Sequence, residues 1–97
     1  MIIRIVKMQF HPEHTATFEA LFRERKAQIR NFPGCRYLAL WRETGNKPVF
    51  FTCSHWESEE ALEAYRASRL FKDTWQATKA LFAEKAMAWS TEAVLSA

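Results

Sequence analysis

Ninety-seven residues leave room for one domain, residues 1–97, and no more. The chain is 48% hydrophobic and 26% charged, which excludes disorder, and a net charge of +3 permits nucleic-acid binding without implying it. Eight Phe and four Trp are more large aromatic side chains than one thin core easily hides.

Met1 leads directly into a strand pattern, so no signal peptide is expected and the cytoplasm is the default compartment. Ile2 to Phe10 (IIRIVKMQF) is β-branched and bounded by His11-Pro12, which predicts a strand. Pro12 suits the first turn of a helix. From there to Asn31, the apolar residues Phe18, Leu21, Phe22, Ile29 and Phe32 fall on one helical face. Glu13 and Glu19 come early and Arg23, Arg25, Lys26 and Arg30 late, as a helix dipole prefers, so the basic stretch reads as a solvated face. Phe32-Pro33-Gly34 then stops the helix.

Cys35 to Glu43 (CRYLALWRE) and Val49 to Trp56 (VFFTCSHW) predict a β-hairpin about the turn Thr44-Gly45-Asn46-Lys47-Pro48. Ser58 suits an N-cap, and Ala61, Leu62 and Tyr65 mark the helical face that follows. After a second cap at Ser68, Phe71, Thr74, Trp75, Thr78 and Phe82 mark another. Ala86 to Leu95 (AMAWSTEAVL) alternates and predicts the last strand. The order is β-α-β-β-α-β, an α+β ferredoxin-like fold with a four-stranded antiparallel sheet. No apolar run approaches the roughly 20 residues of a membrane span, so no membrane partner is expected.

Helices can cover only one face of such a sheet. Along the second strand Tyr37, Ala39 and Trp41 point one way and Leu38 and Leu40 the other; along the third, Phe50 and Trp56 oppose Val49, Phe51 and Cys53. Both faces are largely apolar, and large exposed apolar patches are rare on monomers, so a homodimer packed sheet to sheet is expected. Cys35 and Cys53 fall out of register on paired strands, which predicts two free thiols.

Trp56-Glu57-Ser58-Glu59-Glu60-Ala61-Leu62-Glu63-Ala64-Tyr65, followed by Ser68-Arg69-Leu70-Phe71, resembles the antibiotic-biosynthesis-monooxygenase (ABM) superfamily: a strand-ending Trp, a Ser-x-Glu-Ala capping turn, then a Ser-x-x-Phe step. Asn31-Phe32-Pro33-Gly34-Cys35 is similar to the family's Pro-Gly turn. The resemblance implies a dimeric α/β barrel with a pocket between helices and sheet in each subunit. Among the family's activities are oxidation of quinols and polyphenols by O₂ without a cofactor, and oxidative haem degradation. Two positions depart from relatives. Trp75 stands where haem-degrading members place a His ligand, and Thr52 where polyphenol-oxidising members place an Asn.

Trp56 reads either as a pocket wall donating its indole N–H to a substrate or as a packing anchor. Tyr65 and Trp75, with Phe71 between them, read as flanking one cavity or as plain core. Thr52 supplies one hydrogen-bonding hydroxyl. His55 is the titratable residue suited to take a proton from a phenol, although alternation sets it opposite Trp56. His11 and His14 form H-x-x-H with no third ligand, so no metal is expected. The catalytic candidates are therefore His55, Trp56 and Tyr65. The candidates for binding a small aromatic ligand are Thr52, Trp56, Tyr65, Phe71 and Trp75. Three functions follow: a cofactor-independent monooxygenase acting on a quinol or polyphenol, a non-catalytic small-molecule-binding module, and an RNA-recognition motif. The last needs a Gly-containing aromatic strand, which Val49-Phe50-Phe51-Thr52-Cys53 is not, so no nucleic-acid partner is expected.

Overall fold

The computed structural model describes residues 1–97. Strand β1 (Ile2–Gln9) leads through a 3₁₀ turn at Pro12–His14 into helix α1 (Thr15–Arg30). Strands β2 (Cys35–Arg42) and β3 (Val49–Trp56) follow, then helices α2 (Glu59–Arg66) and α3 (Arg69–Lys79), and last strand β4 (Met87–Thr91). The sheet is antiparallel in the order β2-β3-β1-β4.

Local chemistry sets the joints. Ser58 Oγ accepts from the Ala61 N–H and Ser68 Oγ from the Phe71 N–H, so two short helices are capped one after the other. Gly34 carries φ +89°, and a Cβ there would lie 2.5 Å from the Ala61 Cβ. That turn needs glycine both for its backbone and for the close approach of α2.

The main core joins Met8, Phe10, Phe18 and Phe50 between sheet and α1. A second cluster joins Cys35, Trp56 and Leu62 beneath α2. Phe82, expected on the helical face, lies beyond the end of α3 and forms an isolated bridge with Phe10. The last strand is also shorter than its alternation predicts. β4 pairs only with β1, and Thr91 already faces Ile3, near the start of β1. Val94 and Leu95 therefore run past the available partner and are exposed.

The two faces of the sheet differ as alternation requires. Residues in phase with Val6, Leu40, Thr52 and Ala88 face the helices. Those in phase with Ile5, Ala39, Cys53 and Trp89 face away. On the outer face Tyr37, Trp41, Met87 and Trp89 remain 42–53% exposed, an apolar patch that no element of this chain covers. Both cysteines are buried and unpaired. No helix is long and apolar enough to cross a membrane.

Candidate functional site

A cavity of about 300 Å³ lies between the inner face of the sheet and the three helices. Its floor comes from Arg4, Val6 and Met8 of β1, Thr52, Ser54 and Trp56 of β3, Leu38 of β2 and Ala88 of β4. Its roof comes from Phe18, Leu21 and Phe22 of α1, Leu62, Tyr65 and Arg66 of α2, and Phe71, Thr74, Trp75 and Thr78 of α3. Most of these are apolar, and the size suits one small ring system.

The structure brings five of the six expected residues together. Trp56 stacks on Tyr65 with ring centroids 4.8 Å apart. Tyr65 meets the edge of Phe71 at 5.2 Å, and Phe71 stacks on Trp75 at 5.9 Å. The four rings form a continuous aromatic wall, and Thr52 opens onto the cavity from the floor. Tyr65 and Trp75 reach it from separate helices. Phe71 follows from the Ser68 cap, which aims the first turn of α3 inward.

His55 is the exception. It pairs with Ile3 and Tyr37 across the sheet, and its ring lies 4.6 Å from that of Tyr37 on the outer face. It does not line the cavity. A strand turns neighbouring side chains to opposite faces, so Trp56 inward forces His55 outward.

The donor role expected of Trp56 changes, and that of Tyr65 does not. Trp56 is fully buried, and its Nε1–H donates to Ser54 Oγ at 2.9 Å. The indole therefore walls the cavity and has no proton to offer a ligand. Ser54 spends an acceptor on this bond and keeps its own O–H to donate. Burial, with the Cys35 thiol adding to it, pushes the Tyr65 phenol well above the ordinary tyrosine range. Tyr65 is thus a neutral hydrogen-bond donor at physiological pH and not a base.

The residues that sequence reasoning missed are Ser54, Arg4 and Arg66. Arg4 lies opposite Ser54 in the β1–β3 pairing and donates to Ser90 Oγ at 3.0 Å. Arg66 pairs with Glu63 at 3.0 Å. No Asp, Glu or His lines the cavity.

Haem does not suit this lining. Trp75 presents an indole N–H, which cannot ligate iron, and none of the three His side chains reaches the cavity. His11 and His14 lie together at the start of α1 with ring centroids 5.8 Å apart, and no group of three His, Cys, Asp or Glu side chains is placed to hold a metal.

A family model described as antibiotic biosynthesis monooxygenase matches residues 1–77. No curated protein matches the chain. Among solved structures, one described as an antibiotic biosynthesis monooxygenase superposes with a TM-score of 0.90 at 21% identity, over 98% of this chain and 100% of that one. A conserved protein from Methanosarcina mazei gives 0.86 at 21% identity, over 94% and 91% of the two chains. A Mycobacterium tuberculosis protein gives 0.86 at 18% identity, over 99% and 97%. At these identities the likeness is one of fold.

Proposed function

This chain belongs to the antibiotic biosynthesis monooxygenase family, and we propose that its cavity binds a small, flat quinol or polyphenol and oxidises it with O₂, without a cofactor. The observation that carries this reading is the aromatic wall of Trp56, Tyr65, Phe71 and Trp75 lining, together with Thr52 and Ser54, a cavity of about 300 Å³. An electron-rich phenolate passes an electron to O₂ directly, so the protein need only bind it, hold it as an anion and keep water away. Ser54, Thr52 and Tyr65 supply O–H donors to the anionic oxygen in a mostly apolar site. The reaction balances with the substrate as the only reductant. A phenol with a free ring position and O₂ give a quinone and water. One oxygen atom becomes the new carbonyl, the other leaves as water, and the substrate loses two hydrogens net.

The second reading is a non-catalytic binding module. One observation favours it: the cavity holds no base, since His55 lies on the other face and Tyr65 keeps its proton. Oxygen consumption separates the two. The protein is incubated aerobically with a series of hydroquinones and naphthols, and O₂ uptake is followed beside a buffer control. Uptake above buffer that falls on Phe71→Ala or Trp75→Ala supports the enzyme. Binding without uptake leaves the module.

The exposed Tyr37, Trp41, Met87 and Trp89 on the outer face support a homodimer packed sheet to sheet. His55, beside Tyr37, then lies at or near the dimer seam.

A further inference from the structure

We propose that the cavity takes its ligand as an organic anion, an apolar ring body carrying one ionised oxygen group, with that group held between Arg4 and Arg66. The proposal deepens the reading above and rests on it, since it requires the cavity to be a ligand site.

Arg4 stands on the inner face of β1, in phase with Ile2, Val6 and Met8. A guanidinium in that row is partly buried, so part of its hydration is lost and an opposite charge beside it is favoured. Within this chain the compensation is thin. Its hydrogen bond goes to a neutral hydroxyl, Ser90 Oγ, at 3.0 Å. The neighbouring Arg66 repels it, and the carboxylate that attracts it, Glu63, is already bonded to Arg66. Burial and Arg66 both lower the Arg4 pKa, and Glu63 only partly offsets them. The lining itself contains two cations and no acid.

The polar groups gather at one end. Arg4 faces Ser54 across β1 and β3 and Ser90 across β1 and β4. Ser54 accepts from Trp56 and so offers its O–H. Arg66, with its side chain 43% exposed, marks the rim of the cavity. An anionic oxygen group at this end supplies the negative charge that Arg4 lacks and an acceptor for the Ser54 O–H, with Arg66, already paired to Glu63, beside it. Charge-assisted bonds from guanidinium to such a group are roughly twice as strong as neutral ones. Away from this end, Val6, Met8, Phe18 and the Trp75 ring make the lining mostly apolar and uncharged, which sets the ring body of the ligand. The absence of a base then has a physical explanation. Two cations favour the ionised form of a bound phenol, and its proton leaves to water at the rim.

The test uses probes sharing a ring but not a charge: 2-naphthoate and 2-naphthylmethanol, titrated calorimetrically into the full chain. A third probe, 4-nitrophenol, reports its own ionisation by its visible band. The charged groups of the lining are Arg4 and Arg66, with Glu63 bonded to Arg66 outside the lining, and the titratable Tyr65 of the lining has Cys35 near it. The expected result is naphthoate binding about tenfold or more tighter than the alcohol. Arg4→Gln should remove most of that ratio while leaving the alcohol's affinity within about twofold, and Arg66→Gln should narrow it by less. Addition of protein should raise the nitrophenolate band at fixed pH. A naphthoate preference without this rise assigns the end to carboxylates; both together assign it to ionised oxygen in general. Equal binding of naphthoate and alcohol by the unmutated chain would overturn the anion proposal and leave the cavity as a ligand site. Failure of all three probes to bind would overturn the ligand-site reading itself. Should Arg4→Gln not fold, the unmutated ratio and Arg66→Gln decide.

Discussion

Removing Ser54 Oγ should cost more stability than one serine usually carries, because the loss falls on its partner. Trp56 is fully buried and its N–H has Ser54 Oγ, 2.9 Å away, as its acceptor. In Ser54→Ala the indole stays in place with a desolvated donor and no partner, a penalty of about 1–3 kcal/mol. Trp56→Phe works differently. It deletes the donor with the second ring, costs about 1–3 kcal/mol in lost packing, and leaves Ser54 Oγ facing the cavity, where water satisfies it. The double variant has no orphan, so it should be less destabilised than the sum of the two singles by about 1 kcal/mol or more. The assay is urea unfolding of the four proteins followed by far-UV circular dichroism, since the substitution changes the fluorescence. All four are compared at one chain concentration, so that any self-association affects them alike. Additivity within about 0.3–0.5 kcal/mol would refute the buried donor argument.

Phe10 is fully buried against Phe18, Phe50 and Phe82, so Phe10→Ala should cost about 3–5 kcal/mol in the same urea assay. Gly34→Ala meets both φ +89° and the Ala61 Cβ, and should lower stability by more than about 1 kcal/mol, read as a fall in melting temperature. Tyr65 keeps its proton in the folded state beyond the pH at which the unfolded chain loses it. Stability should therefore fall as pH rises above about 10, and Tyr65→Phe should flatten that fall, leaving the part due to the buried thiols of Cys35 and Cys53, which shift the same way. Haem titration should give no tight complex and no bleaching of a Soret band, because Trp75 offers iron no lone pair. At micromolar concentration the chain should sediment as a dimer, with Trp41→Lys shifting it toward monomer; a stable unmutated monomer would leave the exposed outer face unexplained.

Strand β3 was legible to its last residue because it is central and its alternation is unbroken. Phe50, Thr52, Ser54 and Trp56 share the inner face, and Val49, Phe51, Cys53 and His55 the outer. The same alternation warned that His55 and Trp56 part company. β4 was overextended because Val94 and Leu95 carry on the apolar pattern, while β1, the only strand that pairs with it, begins at Ile2. Periodicity reports what a strand would bury and says nothing of where its neighbour ends. The aromatic wall was legible as residue types at helical spacing. The Trp56–Ser54 bond was not, since it depends on a rotamer. Ser54 was findable, being in phase with Thr52 and Trp56. So was Arg4, a cation in phase with Ile2, Val6 and Met8 on a strand otherwise apolar on that face. Arg66 reads from sequence as the usual cation in the last turn of a helix, and only the fold sets it beside Arg4.

The central claim is that the inner cavity, and not the outer face, receives an aromatic ligand. The four tryptophans divide between these places: Trp56 and Trp75 line the cavity, and Trp41 and Trp89 lie on the outer face. Their four indole N–H groups give separate signals in a ¹H–¹⁵N spectrum, assigned by single Trp→Phe substitutions. Titration with 2-naphthoate should shift the Trp56 and Trp75 signals together and leave those of Trp41 and Trp89 in place. Shifts confined to Trp41 and Trp89, or no shift at any of the four, would contradict the account.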